Sequence, residues 1–466
     1  MTHQGRTARN LIVAVVATLM LAVSALAARD SQTVLYTFTG GSDGAVGGVY
    51  LVSDSVGNLY GTTAAGGNKS TKCAVYTGQP GCGVVFKLTP TAQGPWKETV
   101  LHTFTGGADG GVPEGGVILD SSGNLYGTTY FGGDSKPEVC HASPGFAAGC
   151  GVVYKLTPTA HGPWEETVLH TFTGAPDGQN PLLDQLILDS NGNLYGTTQS
   201  GGDEGCIPLS GCGVVFELSP SPTGAWTERI LYAFSSISAG FNVVGSVTLD
   251  SQGNLYGSTH QGGDTSASCY DVENGGCGVV FKLTPTPSGP WTETVLYAFT
   301  GGSDGASPQS GVILDSAGNV YGTANFGGDT TSPLCTVGQP GYPGCGVVFE
   351  LAQGTWEETV LYTFTGSGDG WWPLSPLVFD SSGNLYGETL GGGGHNDGIV
   401  FKLTPDGQGQ WTESKPFVFS GGAGGNNPQS SLVFGLFGRI YGMTDWGGDT
   451  SQCNGYGCGV VYELQP

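Results

Sequence analysis

Positive charge is what this sequence has least of. Lys and Arg together number 14 among 466 residues, against 38 Asp and Glu, so the formal net charge is −24. An acidic surface repels the phosphates of nucleic acids and the headgroups of anionic lipids. The composition therefore argues against nucleic acid as a partner and against binding to an anionic membrane surface.

Long hydrophobic runs are absent beyond the N-terminus. The one long apolar run, residues 11–23, follows two Arg residues and precedes Ala-Leu-Ala at 25–27. This order of basic, apolar and small residues predicts a secretory signal peptide over residues 1–27, and an uncleaved anchor is the alternative. Residues 28–32 would then form a short leader. We expect an exported chain, periplasmic or extracellular, without stable membrane insertion after cleavage.

Short catalytic motifs are also scarce. The chain contains no H-E-x-x-H sequence and no P-loop, which would position a metal ion or a phosphate. Only seven His occur, and His102 and His170 replace Tyr in a repeated strand pattern, which indicates structural roles. The motifs therefore predict no resident cofactor.

Glycine, in contrast, is abundant and occurs at regular places. The 85 Gly residues separate apolar, β-branched and aromatic runs, which is typical of turns in an all-β protein. The phrase Asn-Leu-Tyr-Gly and its variants occur seven times, which indicates a repeat architecture. The Tyr of this phrase is Tyr60, Tyr126, Tyr195, Tyr256, Tyr321, Tyr386 and Tyr441.

Each repeat contains four strand-like segments. In the second repeat they cover residues 115–119, 124–129, 151–156 and 164–172, with a tight Asp-Ser-x-Gly turn after the first and a long Gly-rich loop after the second. The last two segments alternate apolar and polar residues, as half-buried strands do. Four antiparallel strands in each of seven repeats predict an all-β fold, a seven-bladed β-propeller over residues 33–466.

The two ends of the chain favour a closed ring. The last repeat ends with a third strand at 459–464, while residues 34–38 form a spare fourth strand near the N-terminus. We predict that this N-terminal strand completes the last blade. The alternative, an open β array, would leave both terminal segments unpaired.

The repeated phrases resemble those of a known family. Leu-Tyr-Gly-Thr-Thr-x-x-Gly-Gly, Gly-Val-Val-Phe-Lys-Leu and Glu-Thr-Val-Leu-Tyr-Thr-Phe resemble the GloVer-type tandem repeat of bacterial exported proteins, over nearly all of residues 33–466. The resemblance implies export and a propeller-like domain without assigned activity, and it supplies no catalytic residues. Some relatives carry a C-terminal surface-sorting tail, whereas this sequence ends in Glu-Leu-Gln-Pro, so release is expected rather than anchoring.

The cysteines fall into local pairs that bracket the loop between the second and third strands. Repeat six lacks both members, which suggests that the two cysteines of a pair serve each other. In an exported protein this pattern predicts one disulfide per loop. Structural zinc, the alternative, would need four ligands from two loops. The pairs are Cys73 and Cys82, Cys140 and Cys150, Cys206 and Cys212, Cys269 and Cys277, Cys335 and Cys345, and Cys453 and Cys458.

The long loops should share one face of the propeller, because alternate connections of an antiparallel blade emerge on the same side. Two variable residues end each second strand at this face, inside an otherwise constant phrase. They suggest a recognition surface, with drift at packing positions as the alternative. The pairs are Ala64 and Ala65, Tyr130 and Phe131, Gln199 and Ser200, His260 and Gln261, Asn325 and Phe326, Leu390 and Gly391, and Asp445 and Trp446.

Repeat six has a short loop, residues 391–397, which we expect to leave a notch beside taller loops. Aromatic faces and carboxylates can bind sugars, so the notch is a candidate carbohydrate site, and the alternative is that the Trp pair fills the space of the missing disulfide. The candidate ligand-binding residues are Trp371, Trp372, His395, Trp446, Tyr130, Phe131, His260 and Phe326. The candidate catalytic acids, if a two-carboxylate hydrolase site exists, are Glu388, Asp397 and Asp445.

Two sets of Asp residues recur in the loops of the same face. Calcium prefers several oxygen ligands, so a calcium site is possible in principle. Asp beside Gly is also ordinary turn chemistry, which is the favoured interpretation. The first set is Asp43, Asp109, Asp177, Asp304 and Asp369, and the second is Asp134, Asp203, Asp264, Asp329 and Asp449.

These features together predict an exported, monomeric binding module that recognises a glycan or another extracellular macromolecule, such as a protein. The alternatives are a propeller enzyme, hydrolase or lyase, acting on polysaccharide, and a structural envelope or matrix protein. A Trp that opens most fourth strands is expected to pack between blades. These residues are Trp96, Trp164, Trp226, Trp291, Trp356 and Trp411.

Overall fold

The computed structural model of the chain consists of seven small antiparallel sheets. It describes residues 31–73, 78–92, 95–133, 140, 149–160, 163–183, 185–203, 211–264, 269, 275–287, 289–335 and 343–465. The predicted signal peptide, residues 1–27, lies outside the described residues. No helix in the described ranges is long and apolar enough to cross a membrane.

Each sheet is one blade of a β-propeller, which confirms the predicted fold. The strands of blades one to four are β2 (Ala45–Gly47), β3 (Val52–Ser53), β4 (Leu59–Ala65), β5 (Val84–Thr89) and β6 (Lys97–Thr103); β7 (Val117–Leu119), β8 (Leu125–Thr129), β9 (Val152–Thr157) and β10 (Glu165–Thr171); β11 (Ile187–Leu188), β12 (Leu194–Thr198), β13 (Val214–Pro220) and β14 (Trp226–Ala233); and β15 (Phe241–Val243), β16 (Thr248–Leu249), β17 (Leu255–Gln261), β18 (Val279–Thr284) and β19 (Thr292–Ala298).

Blades five to seven follow the same order. Their strands are β20 (Ile313–Leu314), β21 (Val320–Ala324), β22 (Val347–Leu351) and β23 (Glu358–Thr363); β24 (Val378–Phe379), β25 (Leu385–Thr389), β26 (Ile399–Pro405) and β27 (Trp411–Val418); and β28 (Asn426–Pro428), β29 (Val433–Phe434), β30 (Ile440–Trp446) and β31 (Val460–Gln465), with β1 (Ser31–Thr37) as the outermost strand of blade seven. Short 3₁₀ helices occur at Ile237–Ala239, Pro333–Cys335, Gly422–Gly424, Leu436–Gly438 and Cys453–Gly455.

The N-terminal strand closes the ring. β1 pairs antiparallel with β31, in a register that runs from Ser31 opposite Gln465 to Thr37 opposite Val460. The first and last strands of the chain therefore share blade seven, as the sequence predicts. The strand begins at Ser31, inside the segment that the sequence analysis assigned to a short leader.

Aromatic pairs repeat at every boundary between blades. A Phe that follows the fourth strand of one blade meets the edge or face of a ring on the third strand of the next, with centroids 5.1–5.3 Å apart. Edge-to-face pairs of this kind add to the burial of both rings. The pairs are Phe38–Phe86, Phe104–Tyr154, Phe172–Phe216, Phe234–Phe281, Phe299–Phe349, Phe364–Phe401 and Phe419–Tyr462.

The Trp that opens a fourth strand also packs across a blade boundary, as expected. Trp164 of blade two lies 6.3 Å from Tyr60 of blade one, measured between ring centroids. The Tyr belongs to the Asn-Leu-Tyr-Gly phrase, so one contact explains two repeated residues. Trp96, Trp226, Trp291 and Trp411 make the same contact with the Tyr of the preceding blade.

The constant phrase Asn-Leu-Tyr-Gly is held by the Asp of the preceding turn. Asp120 accepts hydrogen bonds from Ser122 N and Asn124 N at 2.8 Å, from Asn124 Nδ2 at 2.7 Å and from Tyr126 Oη at 3.1 Å. The carboxylate thus fixes both the turn and the start of the second strand. The same arrangement recurs at Asp54, Asp189, Asp250 and Asp315.

A left-handed residue recurs near the start of each blade. Its φ is 55–61°, a strained conformation for residues other than Gly. Its backbone N–H donates to the carbonyl of the residue two positions before the third strand of the preceding blade. The bond therefore ties each blade to its neighbour around the whole ring. The seven residues are Val46, Val112, Asn180, Asn242, Ser307, Trp372 and Asn427.

Five of the predicted disulfides are present in the described residues. They join Cys73–Cys82, Cys140–Cys150, Cys269–Cys277, Cys335–Cys345 and Cys453–Cys458. Cys212 is also disulfide-bonded, and its predicted partner Cys206 lies outside the described residues.

The disulfides pack against the Gly-rich loops, so both sets of loops lie on one face, hereafter the loop face. A Cβ on Gly106, which has a φ of 69°, would lie 2.7 Å from Sγ of Cys82. Only Gly fits this position without displacing the disulfide. Gly40, Gly301 and Gly366 meet the disulfides of blades seven, four and five in the same way.

Removing one disulfide should destabilise the protein without changing its fold. Replacing both Cys335 and Cys345 by Ser should lower the free energy of unfolding by about 2–3 kcal/mol, because the bond closes a short loop in the unfolded chain. Denaturant unfolding of the oxidised variant and the wild type measures the difference. The reduced wild type serves as the control, because it lacks all of the disulfides. An unchanged denaturant midpoint for the variant would contradict the prediction.

Candidate functional site

The central channel is blocked part of the way along its length. Tyr50 of blade one extends to blade four, where its hydroxyl lies 2.8 Å from Ser246 Oγ. Ser246 Oγ also accepts a hydrogen bond from the backbone N–H of Gln185, at 2.9 Å. At this level the channel is too narrow for a water molecule between Leu183, Gln309, Leu374 and Gln429. The channel therefore opens as two separate mouths.

Five polar side chains belong to the loop-face ends of blades two, three and seven and are hereafter the mouth cluster: Glu114, Tyr130, Gln199, Gln429 and Asp445. Gln429 Nε2 donates to Asp445 Oδ2, and Tyr130 Oη donates to Gln199 Oε1 at 3.2 Å. The pairing of Asn426 with Trp446 places Gln429 and Asp445 near the loop-face end of blade seven. Amide, hydroxyl and carboxyl groups such as these can form hydrogen bonds with a polar ligand.

Burial and charge alter the ionisation of this cluster. Burial raises the pKa of Asp445 to about 8, and the charge of Glu114 adds to this effect while the Gln429 hydrogen bond opposes it. Burial and the same Glu114 charge raise the pKa of Tyr130 to about 12. Asp445 therefore holds its proton near neutral pH, so that it can donate as well as accept a hydrogen bond.

Blade one separates the two acids and contributes only small residues at this level. Gly47 and Gly48 lie in its first strand region, and Ala64 and Ala65 end its second strand. A Cβ on Gly47 would lie 3.3 Å from the carbonyl oxygen of Thr444, and a Cβ on Gly48 would lie 3.2 Å from that of Glu114. The small residues thus allow blade one to pack closely against both of its neighbours.

The two variable positions of each repeat differ in burial. The second residue is mostly buried: Phe131 and Phe326 are 7% and 8% exposed. The first residue is half-buried in the repeats where it is Tyr130, Gln199, His260 or Asp445. Burial favours packing as the role of the second position, whereas the half-buried first positions and Trp446 keep exposed surface.

Glu388 lies inside the protein rather than in an open notch. Its side chain is fully buried between blades six and seven. It accepts hydrogen bonds from Tyr462 Oη and, at 3.3 Å, from Ser430 Oγ. Burial raises the pKa of Glu388 to about 8, with a smaller contribution from Asp445, against the opposing effect of the hydrogen bonds. In this position Glu388 joins two blades and has no exposed surface for a substrate.

The short loop of blade six is held by the Trp pair. Trp371 Nε1 donates to Asn396 Oδ1 at 2.8 Å, and its ring lies over Gly391, where a Cβ would come within 2.1 Å. Trp372 meets Trp371 edge to face at 4.5 Å and Phe326 at 5.5 Å. Both indoles are half-buried by these contacts, which favours the space-filling alternative for the pair.

Two other candidate residues lie in the same loop. Asp397 stands at the sequence position of the second Cys of the other repeats, and a Cβ on Gly421 would lie 2.9 Å from its carboxylate. The carboxylate thus takes the place that a disulfide holds in other blades. His395 is exposed at the tip of the loop. Trp446 lies 5.8 Å from the ring of Tyr456, on the loop face of blade seven.

Several of the Asp residues considered for calcium accept hydrogen bonds within their own loops. Asp43 accepts from Thr39 N at 2.8 Å and from Thr39 Oγ1 at 2.6 Å. Asp329 and Asp449 each accept a hydrogen bond from the backbone N–H group two positions later in the chain. Asp134 lies outside the described residues. Two of the loops, 40–44 and 301–305, also match G-x-S-x-G, but they join strands and do not form a strand-to-helix nucleophile elbow.

The sequence analysis missed Glu114, Gln429 and the residues that block the channel. Glu114 lies two positions after Val112, the left-handed residue of blade two. The other repeats carry Gly, Leu, Val or Gln at the matching position. A comparison of the first strands would have found this single acid. Tyr50 and Ser246 carry no such signal, because their contact depends on the diameter of the ring.

The profile of the Gloeobacter/Verrucomicrobia repeat family matches residues 71–334 and 332–466 of the chain. Among curated proteins, no match is found.

Three solved structures are similar to this chain at low identity. A candidate 6-phosphogluconolactonase from Bacteroides fragilis is 13% identical, with a TM-score of 0.44 over 85% of this chain and 86% of its own. A candidate oxidoreductase (glucose dehydrogenase) from Thermus thermophilus is 14% identical, with a TM-score of 0.42 over 75% and 95%. A Dyadobacter fermentans protein of unknown function is 10% identical, with a TM-score of 0.43 over 83% and 97%. These similarities carry no argument about activity.

Proposed function

Because the chain belongs to the Gloeobacter/Verrucomicrobia repeat family and folds as a disulfide-bonded propeller, we propose that it is an exported, monomeric binding module. Its ligand is a neutral glycan, and its binding site is the loop-face mouth of the central channel. The observation that carries the proposal is the mouth cluster, in which polar groups from blades two, three and seven lie in one half of the ring. The basic, apolar and small residues of positions 1–27 support export.

The chemistry of the cluster favours a neutral, hydroxyl-rich ligand. The amides of Gln199 and Gln429 and the protonated Asp445 offer both donors and acceptors, which match sugar hydroxyls. Tyr130 adds an aromatic ring beside them. Glu114 and the net charge of −24 would repel a sulfated or phosphorylated ligand. A pocket with a few converging polar groups is the usual form of a ligand site.

One observation favours a second candidate function, hydrolysis of the glycan. Asp445 holds its proton near neutral pH and interacts electrostatically with Glu114. An acid with a raised pKa beside a second carboxylate is the arrangement that glycoside hydrolases use. In this alternative Asp445 is the general acid and Glu114 is the base or nucleophile.

Substitution of the mouth cluster should weaken glycan binding. We expect the oxidised chain, residues 28–466, to be retained on a neutral polysaccharide and to release no oligosaccharides. Tyr130→Phe and Gln429→Leu should each raise the Kd roughly tenfold, because each removes a hydrogen bond to the ligand or within the cluster. Retention on a panel of neutral and acidic polysaccharides, with mass spectrometry of the supernatants, measures both properties.

The matched control is Asp397→Asn, which changes an acid of the loop face outside the mouth. It should leave retention unchanged. Equal retention of the wild type and both mouth variants would contradict the proposed site. Released oligosaccharides that disappear in Asp445→Asn would establish the enzyme instead, and the absence of both retention and products would favour a structural role or a protein partner.

A further inference from the structure

A three-residue acidic arrangement recurs at the outer side of the blade boundaries. It consists of an aromatic or His residue of one fourth strand, the Asp of the loop that follows, and a Glu of the next fourth strand. Where the first residue is Tyr, its hydroxyl donates to the Asp. The distances are 3.1 Å for Tyr36–Asp43, Tyr297–Asp304 and Tyr362–Asp369.

Blade two departs from this pattern in a way that changes its chemistry. His170 replaces the Tyr, and its Nε2 lies 3.3 Å from Asp177 Oδ2 and 3.8 Å from Glu228 Oε1. The ligand atoms of the three residues all lie within 4.8 Å of one another. His170 comes from β10 and Glu228 from β14, so the group joins blade two to blade three.

Two atoms of this group are enclosed and make no hydrogen bond. His170 Nε2 and Glu228 Oε1 have almost no exposed surface and no hydrogen-bond partner, although enclosed polar atoms are normally satisfied. The side chains as wholes are 14–18% exposed, which leaves a route for a small ion. An imidazole nitrogen and two carboxylate oxygens therefore converge on one point from two blades.

We propose that His170, Asp177 and Glu228 form a site for a divalent first-row transition metal, such as Zn²⁺. An imidazole with two carboxylates is a ligand set for such ions, whereas Ca²⁺ and Mg²⁺ take oxygen ligands. Three protein ligands leave a position for water. A bound cation would neutralise the adjacent carboxylates and tie blade two to blade three.

Blade one offers an internal comparison. His102 Nε2 lies 3.7 Å from Asp109 Oδ2, and Glu166 occupies the third position. Among the described residues, however, it is the His170 group that brings three ligand atoms within 4.8 Å. We therefore expect a metal ion at the boundary between blades two and three, and none at the boundary between blades one and two.

The test compares His170→Tyr with His102→Tyr, since Tyr is the residue that other blades carry at this position. The oxidised chain is stripped with a chelator and titrated with Zn²⁺, and bound metal is measured by equilibrium dialysis. The wild type and His102→Tyr should each bind one ion at the site, and His170→Tyr should bind one fewer. Zn²⁺ should also raise the thermal midpoint of the first two proteins more than that of His170→Tyr.

A second variant, Glu228→Gln, is included in case His170→Tyr fails to fold. Circular dichroism checks the fold of both variants. Glu228→Gln keeps the shape of the side chain but removes its charge, so it should weaken Zn²⁺ binding at least tenfold. Equal stoichiometry in His170→Tyr and the wild type would overturn the proposal. So would equal loss in His102→Tyr, or no Zn²⁺ binding by the wild type.

Discussion

Raising the pH from about 5 to about 8 should lower the thermal midpoint of the oxidised protein, because buried carboxyls must ionise in the folded state. Burial raises the pKa of Glu388 to about 8 and that of Glu98, Glu293 and Glu358 to about 7. The folded chain therefore keeps protons that the unfolded chain has lost above about pH 4.5. The stabilisation from these buried carboxyls is complete below about pH 4.5 and disappears as the pH rises through their pKa values in the folded state.

The Asp carboxylates of the tight turns limit the stability of the protein at low pH. Hydrogen bonds from Asn side chains and backbone groups lower the pKa of Asp54, Asp120 and Asp380 below the usual value, despite burial, which acts in the opposite direction. Their contribution is present above about pH 3.8 and is lost as the pH falls through the lowered values. Stability should therefore be greatest in mildly acidic solution and decrease on both sides.

Differential scanning fluorimetry over this pH range measures the effect, and Glu388→Gln is the informative variant. Gln is neutral at every pH, so the variant should lose less of its midpoint between about pH 5 and about pH 8 than the wild type. Each unit of pKa difference corresponds to about 1.4 kcal/mol. A wild-type midpoint that rises over this interval would contradict the assignment of these carboxyls.

Deleting the N-terminal strand should have the largest effect on the fold. Without residues 31–38, β31 keeps β30 but loses its outer antiparallel partner, and the buried side chains of Leu35 and Phe38 are removed. Burial of two such side chains contributes about 3–6 kcal/mol, and the new edge exposes unpaired backbone groups. We expect the variant to unfold at a much lower denaturant concentration, or to aggregate.

A rearranged chain provides the control. Residues 31–38 are moved to the C-terminus and joined to Gln465 by a turn like that between the third and fourth strands of other blades. The blade would then be built from one continuous segment, and the unfolding midpoint should recover most of its wild-type value. Cooperative unfolding of the deletion variant at the wild-type midpoint would show that β1 is not needed for closure.

The fold could be predicted from the sequence because its determinants are local and repeated. The Asp120 turn, the Tyr126 phrase and the alternation in the third strand occur within one repeat, and seven copies reinforce the same interpretation. The unpaired segments at the two ends predicted ring closure. The cysteine pairs predicted the disulfides because each pair closes its own loop.

The candidate site could be predicted only in part, because it depends on contacts between blades. Glu388 stands where other repeats carry Thr, Ser or Met, and nothing in its own repeat shows that Tyr462 of the next blade encloses it. Glu114 and Asp445 are far apart in the sequence and approach each other only when the ring closes. Trp371 resembled an open aromatic surface, but Asn396 and Gly391 hold it against the loop.

The contact between Tyr50 and Ser246 limits how any long ligand can use the channel. A polymer can place an end or a bend in the loop-face mouth, or lie across it, but it cannot thread through the ring. Capture and release must then take place on the same side of the protein. A chain held in this way can dissociate at any position along its length, without sliding to a terminus.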